Sequence, residues 1–194
     1  MTIPSLQDIP KQITTARLFL RTPQTGDGIL LNAAVINSFD QLTKYMPWAD
    51  HKPTHEESEL FCIQAQAQWL LGQELTFYIF DLLEQKQILG VVSLHTIDWT
   101  VPRFEIGYWI NSSYANKGII TEATNAVATY AFKKLNAQRI EIRCDEDNIP
   151  SRRIAEKLNF IQEGILLKHQ QKPHHKGIRN TVIYACYDIK QLTT

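Results

Sequence analysis

The residues best placed for chemistry lie in one stretch, Tyr114-Ala-Asn-Lys-Gly-Ile-Ile-Thr-Glu122. A strand-like segment, Glu105-Ile-Gly-Tyr-Trp-Ile110, precedes it. An apolar stripe at helical spacing follows it: Ala123, Ala126, Val127, Tyr130 and Ala131. This order predicts a helix beginning near Gly118 and running to about residue 135. The first N–H groups of a helix lack intrahelical acceptors and carry a partial positive charge, so they form a standing anion site that suits a pyrophosphate. Lys117 adds a cation beside it, and Gly118 lets the backbone approach a ligand closely. Taken alone, the stretch reads first as the plain start of a helix. Neither GxxxxGK[ST] nor GxGxxG occurs, so the nucleotide-binding loops those patterns mark have little support.

Other reactive side chains are sparse. Cys62, Cys144 and Cys186 are widely spaced, odd in number and without a CxxC pair. They suggest neither a zinc site nor a disulfide framework, and the plain reading is reduced thiols in a cytoplasmic protein. His169, His174 and His175 fall in a polar loop expected over Lys168–Asn180, with no helical HxxxH pair and no carboxylate set, so no metal is expected. Lys plus Arg equals Asp plus Glu, at 20 each. That balance gives no overall electrostatic reason to bind nucleic acid or an anionic membrane. The apolar runs are far shorter than a membrane span, and the N-terminus lacks an apolar signal core.

The elements that must position these residues follow from pattern. The 194 residues fit one domain, and 44% hydrophobic content is enough for a core. Residues 1–12 read as a loose leader, with the domain over 13–194. A first strand is expected over Arg17–Arg21 and a helix over 29–45. A stronger helix opens at Pro53-Thr54, where Leu60, Ile63, Ala67, Leu70 and Leu71 recur at helical spacing, and it ends at Gly72. Leu75–Phe80, Ile88–Leu94 and Phe104–Ile110 predict an antiparallel meander. Arg139–Cys144 alternates as a strand, Ser151–Leu158 as a short helix stopped by Asn159, and two strands close the chain near Ile161–Leu167 and Val182–Tyr187. The whole predicts a mixed α/β (α+β) domain.

Three segments in this order, Glu105–Ile110, Tyr114–Ala123 and Asp147–Phe160, resemble the GNAT superfamily. Within it they resemble the ribosomal-protein N-terminal (alanine or serine) acetyltransferases. Thr15–Arg21, Tyr45-Met-Pro-Trp48 and the closing Asn180–Tyr187 strand fit as well, so the likeness covers roughly 13–188. The resemblance implies a sheet of about seven strands with helices on both faces. Two central strands, 104–110 and 138–144, would splay to admit acetyl-CoA. It places the pyrophosphate on the N–H groups of Ala115, Asn116, Lys117, Gly118, Ile119 and Ile120, and the pantetheine arm along Tyr108, Trp109 and Ile110. Ala115 and Asn116 depart from the common family loop, which is polar at the first position and often glycine at the second.

The same resemblance implies an enzyme that moves an acetyl group to a primary amine. An α-amine has a pKa of about 8, so a carboxylate acting through water suffices as base. Glu105, on the strand face of Gly107 and Trp109, is the candidate base; it also reads as a structural ion-pair carboxylate. Asn148 and Ser151 are the candidate CoA contact and thiol proton donor; both also read as helix caps. Many family members carry a Tyr four residues beyond Ser151, where this chain has Ala155. Cys144 is either a thiol near the CoA sulfur or a small strand residue. Tyr45 and Trp48 are the candidate acceptor-side residues, although Trp48 fits a core position too. The acceptor is expected to be a protein N-terminus, with a small amine such as a polyamine, amino acid or aminoglycoside as the rival. A non-catalytic acyl-CoA-binding module is a second rival, and a homodimer is compatible with the family.

Overall fold

The computed structural model describes residues 9–175 and 177–192, without the side chain of His175. Its centre is one sheet of eight strands: β1 (Gln12–Thr14), β2 (Leu18–Arg21), β3 (Leu75–Asp81), β4 (Gly90–Asp98), β5 (Arg103–Ile110), β6 (Arg139–Asp145), β7 (Ile161–Gln171) and β8 (Ile178–Cys186). They lie in the order β1-β2-β3-β4-β5-β6-β8-β7. The meander β3-β4-β5 forms as its alternation predicts. β3 is buried on both faces because both are covered. Phe77 and Ile79 join one core, and Tyr78 and Phe80 join the other.

The strand beyond the expected seven, β1, starts at Gln12, the last residue of the expected leader. Gln12–Thr14 pairs with Phe19–Arg21, Ile9 is buried in the main core, and the Pro10 carbonyl accepts from the Tyr130 hydroxyl at 2.9 Å. Residues 9–12 are therefore docked rather than loose, because the hairpin satisfies their backbone and Ile9 fills apolar space. Residues 1–8 lie outside the described residues.

Helices α1 (Gly28–Leu42) and α2 (His55–Leu71) lie over one face, with Trp69 near the end of α2 packing on Phe77 in the other core; α3 (Ile119–Lys134) and α4 (Ile149–Lys157) cover that second face. In α3 the predicted stripe faces inward: Ala123, Val127 and Ala131 are fully buried. Thr54 and Glu57 form a reciprocal capping box at the start of α2, and Gly72 ends it in the left-handed conformation at φ 66°. The apolar stripe read along α2 is the solvent side, however. Leu60, Ile63, Leu70 and Leu71 are exposed, while Ser58, Cys62, Ala65 and Trp69 face inward. Both sets have helical spacing. The inward one is chosen by polar partners and close approach: Asn32 Nδ2 donates to Ser58 Oγ at 3.2 Å, and Cys62 Sγ meets the Tyr78 hydroxyl at 3.2 Å.

Every strand pairing is antiparallel except one. β5 and β6 run parallel, and they pair only over Arg103–Glu105 against Arg139–Glu141. Past those three rungs the strands diverge. β7 and β8 extend further than expected, so the loop between them is short and His169 lies within β7, its Nδ1 3.0 Å from Thr181 Oγ1. Asn159 ends the α4 segment at φ 58°, as its tolerance of that region predicts.

Candidate active site

The divergence of β5 and β6 makes the cleft. Among the described residues, β5 beyond Glu105 has β4 as its only strand neighbour, and β6 beyond Glu141 has only β8. One backbone edge of Ile106–Ile110 thus faces the gap, ready to pair with an extended ligand. Side chains alternate across it. Phe104, Ile106 and Tyr108 point to the α3 side, and Glu105, Gly107 and Trp109 to the α1 side.

The predicted phosphate loop closes one end of the cleft. A 3-10 turn at Ser112–Tyr114 leads to Asn116 at φ 62° and Gly118 at φ 74°. Both are left-handed, the conformation that glycine adopts freely and asparagine tolerates. Asn116 therefore does the backbone work of the glycine usual at that position. Gly118 is the N-cap of α3, and no side chain caps this end, leaving its N–H donors for a ligand. Ile119 and Ile120 bury their side chains in the core, so only their backbone serves the loop. Lys117 Nζ lies 4.9 Å from the Tyr114 ring centroid. Lys117, Tyr114, Lys86 and Arg17 border a groove of about 280 Å³.

Arg17 is a residue the sequence did not single out. Its Nε donates to Glu122 Oε2 at 2.7 Å, and Nη1 donates to the Lys117 carbonyl at 3.2 Å. Burial works to raise the Glu122 carboxyl, but Thr15 and Arg17 outweigh it and hold it below its usual value. The β1–β2 hairpin is thereby braced against the first turn of α3. The partners lie 105 residues apart, so no local pattern signals them.

Opposite the loop stands the start of α4. Asn148 Oδ1 accepts from Ser151 N at 3.2 Å, so the capping role is real. Ser151 nevertheless turns its hydroxyl to the cleft, where Oγ lies 3.0 Å from the Tyr108 hydroxyl. That phenol, expected to matter only through its backbone, spans the gap. Burial pushes Tyr108 up, with Ser151 opposing. Burial likewise raises the Cys144 thiol, with Ser151 as the main opposing contact. Both groups are thus neutral at physiological pH, and Cys144 is a buried protonated thiol on the α3 side of β6. Ala155 is fully buried, consistent with the absence of a cleft-facing phenol there.

The α1 side holds the other predicted residues. Trp48 and Trp109 pack with centroids 6.2 Å apart, and Trp48 is half exposed rather than core. Trp109 therefore offers the cleft its backbone while its ring joins this pair. The Tyr45 hydroxyl reaches the Asp147 carbonyl at 3.5 Å, and Lys172 Nζ lies 2.6 Å from Asp147 Oδ2, gathering three segments at the mouth. Glu105 sits where β4, β5 and β6 run together, paired with His95 on one side and Glu141 on the other. Arg143 Nε is 3.9 Å from its carboxylate, and Thr96 Oγ1 donates to Oε2 at 3.5 Å. His95, Thr96 and Arg143 were not picked out by the sequence, because cross-strand register is invisible in it; the only signal was a polar His-Thr pair inside an apolar strand. Among the described residues, no group of three His, Cys, Asp or Glu side chains is arranged to hold a metal.

A splayed parallel pair, a left-handed loop and an uncapped helix start form one unit. The sequence profile of the acetyltransferase (GNAT) domain matches residues 17–161. The chain belongs to the GNAT acetyltransferase family. As a member it is an enzyme, an N-acetyltransferase. YdaF of Bacillus subtilis, provisionally named a ribosomal N-acetyltransferase, is 35% identical over 168 residues, covering 85% of this chain and 87% of that protein. The Escherichia coli ribosomal-protein-serine acetyltransferase is 31% identical over 101 residues, 52% of this chain and 56% of that one. Among solved structures, RimL, a ribosomal L7/L12 alpha-N-protein acetyltransferase in complex with coenzyme A, shares the fold at TM-score 0.83 and 22% identity. It covers 93% of this chain and 98% of that chain.

Proposed function

We propose that this GNAT enzyme uses acetyl-CoA to acetylate a protein N-terminal α-amine, of the serine type found on ribosomal proteins, in the cytoplasm. The observation that carries the reading is the β5–β6 divergence beside the Asn116–Gly118 loop. The gap offers an extended backbone edge for a pantetheine arm, and the loop offers uncapped N–H donors and Lys117 for a pyrophosphate. The relatives' names support both the donor and the acceptor class.

Acetyl-CoA supplies a thioester whose carbonyl accepts the amine. The protein's residues do the rest. Backbone of Tyr108–Ile110 aligns the arm in the gap, and Ser151 presents a hydroxyl proton to the sulfur side, backed by Tyr108. Glu105 places a negative charge on the α1 side, where the amine's proton leaves. Trp48 and Tyr45 flank the acceptor's approach. Arg139 and Arg143 offset Glu105 and Glu141 there, so the face is not the strongly acidic one that a polyamine needs.

The test is a calorimetric titration with acetyl-CoA, then thiol release measured with Ser-initiated peptides against spermine, amino acids and aminoglycosides. Binding with faster turnover of the Ser-peptide is expected. Preference for a small amine overturns the acceptor, binding without thiol release from any amine leaves an acyl-CoA-binding module, and absence of binding removes the donor.

A further inference from the structure

β4 is interrupted by a bulge between His95 and Asp98, where its pairing with β5 shifts register. Thr96 occupies that bulge at φ 50°. A β-branched residue in the left-handed region is a genuine outlier, and such strain collects at functional sites. Bulges also re-aim side chains beside active sites. Here the bulge does something specific. It brings the Thr96 hydroxyl between two side chains of neighbouring strands: His95 Nδ1 lies 3.0 Å from Oγ1, and Oγ1 donates to Glu105 Oε2 at 3.5 Å.

The hydroxyl has one proton. Given to the carboxylate, it leaves Oγ1 to accept from Nδ1–H, and the imidazole is then a bare acceptor at Nε2. Nε2 is directed over Gly107: a Cβ built there would sit 2.8 Å from it. Gly107 is on β5, within the Ile106–Ile110 edge that faces the cleft. The missing side chain is what makes room for the ring. The other charged groups facing Glu105 are Arg143, 3.9 Å away, and Glu141, which Arg139 and Arg143 already pair. Asp98 is committed to Thr100 and Arg103.

We infer that His95 Nε2 is the group that takes the amine's proton, with Thr96 and Glu105 as positioning residues that fix its tautomer and balance its charge. This rests on the reading of the cleft as the site of acetyl transfer. The amine lone pair forms the new C–N bond, and the nitrogen's proton passes to Nε2. The C–S bond breaks with its electron pair on sulfur, and the thiolate takes a proton from Ser151 Oγ, which solvent restores. The imidazolium returns its proton to solvent, since His95 is only partly buried.

The test combines single-turnover kinetics on a Ser-initiated peptide, calorimetry with acetyl-CoA, and ¹⁵N NMR of the histidine side chains. His95→Gln is expected to lower the transfer rate by about 10²-fold, a typical acid–base contribution, with acetyl-CoA affinity unchanged. Thr96→Ala is expected to lose part of the rate and Thr96→Ser to regain it. His95→Gln combined with Glu105→Gln is expected to be no slower than His95→Gln alone, as for groups acting as one unit. An unchanged rate in His95→Gln, or multiplicative losses in the double variant, would overturn the inference. NMR on the resting protein is expected to show His95 protonated at Nδ1. A proton on Nε2 instead sinks the relay even if transfer is observed, whereas acetyl-CoA binding without transfer to any amine sinks the functional reading itself.

Discussion

The Tyr108 hydroxyl crosses from β5 to the start of α4 and meets Ser151 twice, 3.0 Å from Oγ and 3.1 Å from the carbonyl oxygen. Tyr108 lies on β5 and Ser151 on the helix that follows β6, and these two strands no longer pair at that level, so this contact is a bridge over the cleft. It identifies Ser151 as more than the third residue of a capped turn.

Ser151→Ala is therefore expected to slow turnover about 10²-fold while changing acetyl-CoA affinity far less. Tyr108→Phe removes the supporting hydroxyl and should fall between it and the natural enzyme. Turnover and calorimetric affinity measured on the same preparations check this; equal losses in both would make Ser151 purely structural.

Glu105→Gln removes the negative charge on the α1 side. Without it the positive charge developing at His95 loses its counter-charge, and the reaction leans on acceptor amine already unprotonated, an α-amine having a pKa of about 8. The pH–rate profile should shift toward alkaline pH, with the loss greatest near neutrality. A profile superimposable on the natural one removes Glu105 from the chemistry.

The two left-handed residues of the loop make opposite demands. Gly118→Ala places a Cβ at φ 74° and is expected to cost about 1–2 kcal/mol, read as a lower melting temperature and a smaller rise on adding acetyl-CoA. Asn116→Gly should be neutral or slightly stabilising at φ 62°, whereas Asn116→Val should behave like Gly118→Ala. Differential scanning fluorimetry with and without acetyl-CoA checks all three.

Glu163 carries a pH-dependent part of the stability. Arg139, aided by Tyr187, holds its carboxyl down at about 2. A depressed folded-state value contributes stability above the ordinary carboxylate range and loses it as pH falls through the folded value. The loss should thus run from about pH 4.5 down to about pH 2. Glu163→Gln should flatten the fall in melting temperature across that window and lower stability at neutral pH; an unchanged acid limb would remove the Arg139–Glu163 pair as its cause.

Much of the architecture was legible because it rests on periodicity. The stripe of α3, the β3–β5 meander and the positive φ at Asn159 follow from side-chain volumes and single-residue preferences. Two readings failed where two patterns competed or a long-range partner decided. In α2, Leu60 and Ile63 look like the core face, yet Ser58 and Cys62 win it because Asn32 and Tyr78 wait beneath them. Residues 9–12 look loose until Tyr130 and β2 claim them. At the site, Gly118 stood out through local type and position, and Ser151 and Glu105 through the family resemblance. Arg17, Thr96 and His95 did not, because their meaning comes from Glu122, Glu105 and Gly107 on other elements.

The three rungs between β5 and β6 have a mechanical consequence. The five strands on one side and the three on the other form two stiff plates joined by a seam shorter than a typical strand. Bending of the sheet concentrates there, and past the rungs the Tyr108–Ser151 and Tyr45–Asp147 contacts span it. A ligand laid along the open edge would carry load across the same seam, so filling the cleft is expected to stiffen the molecule.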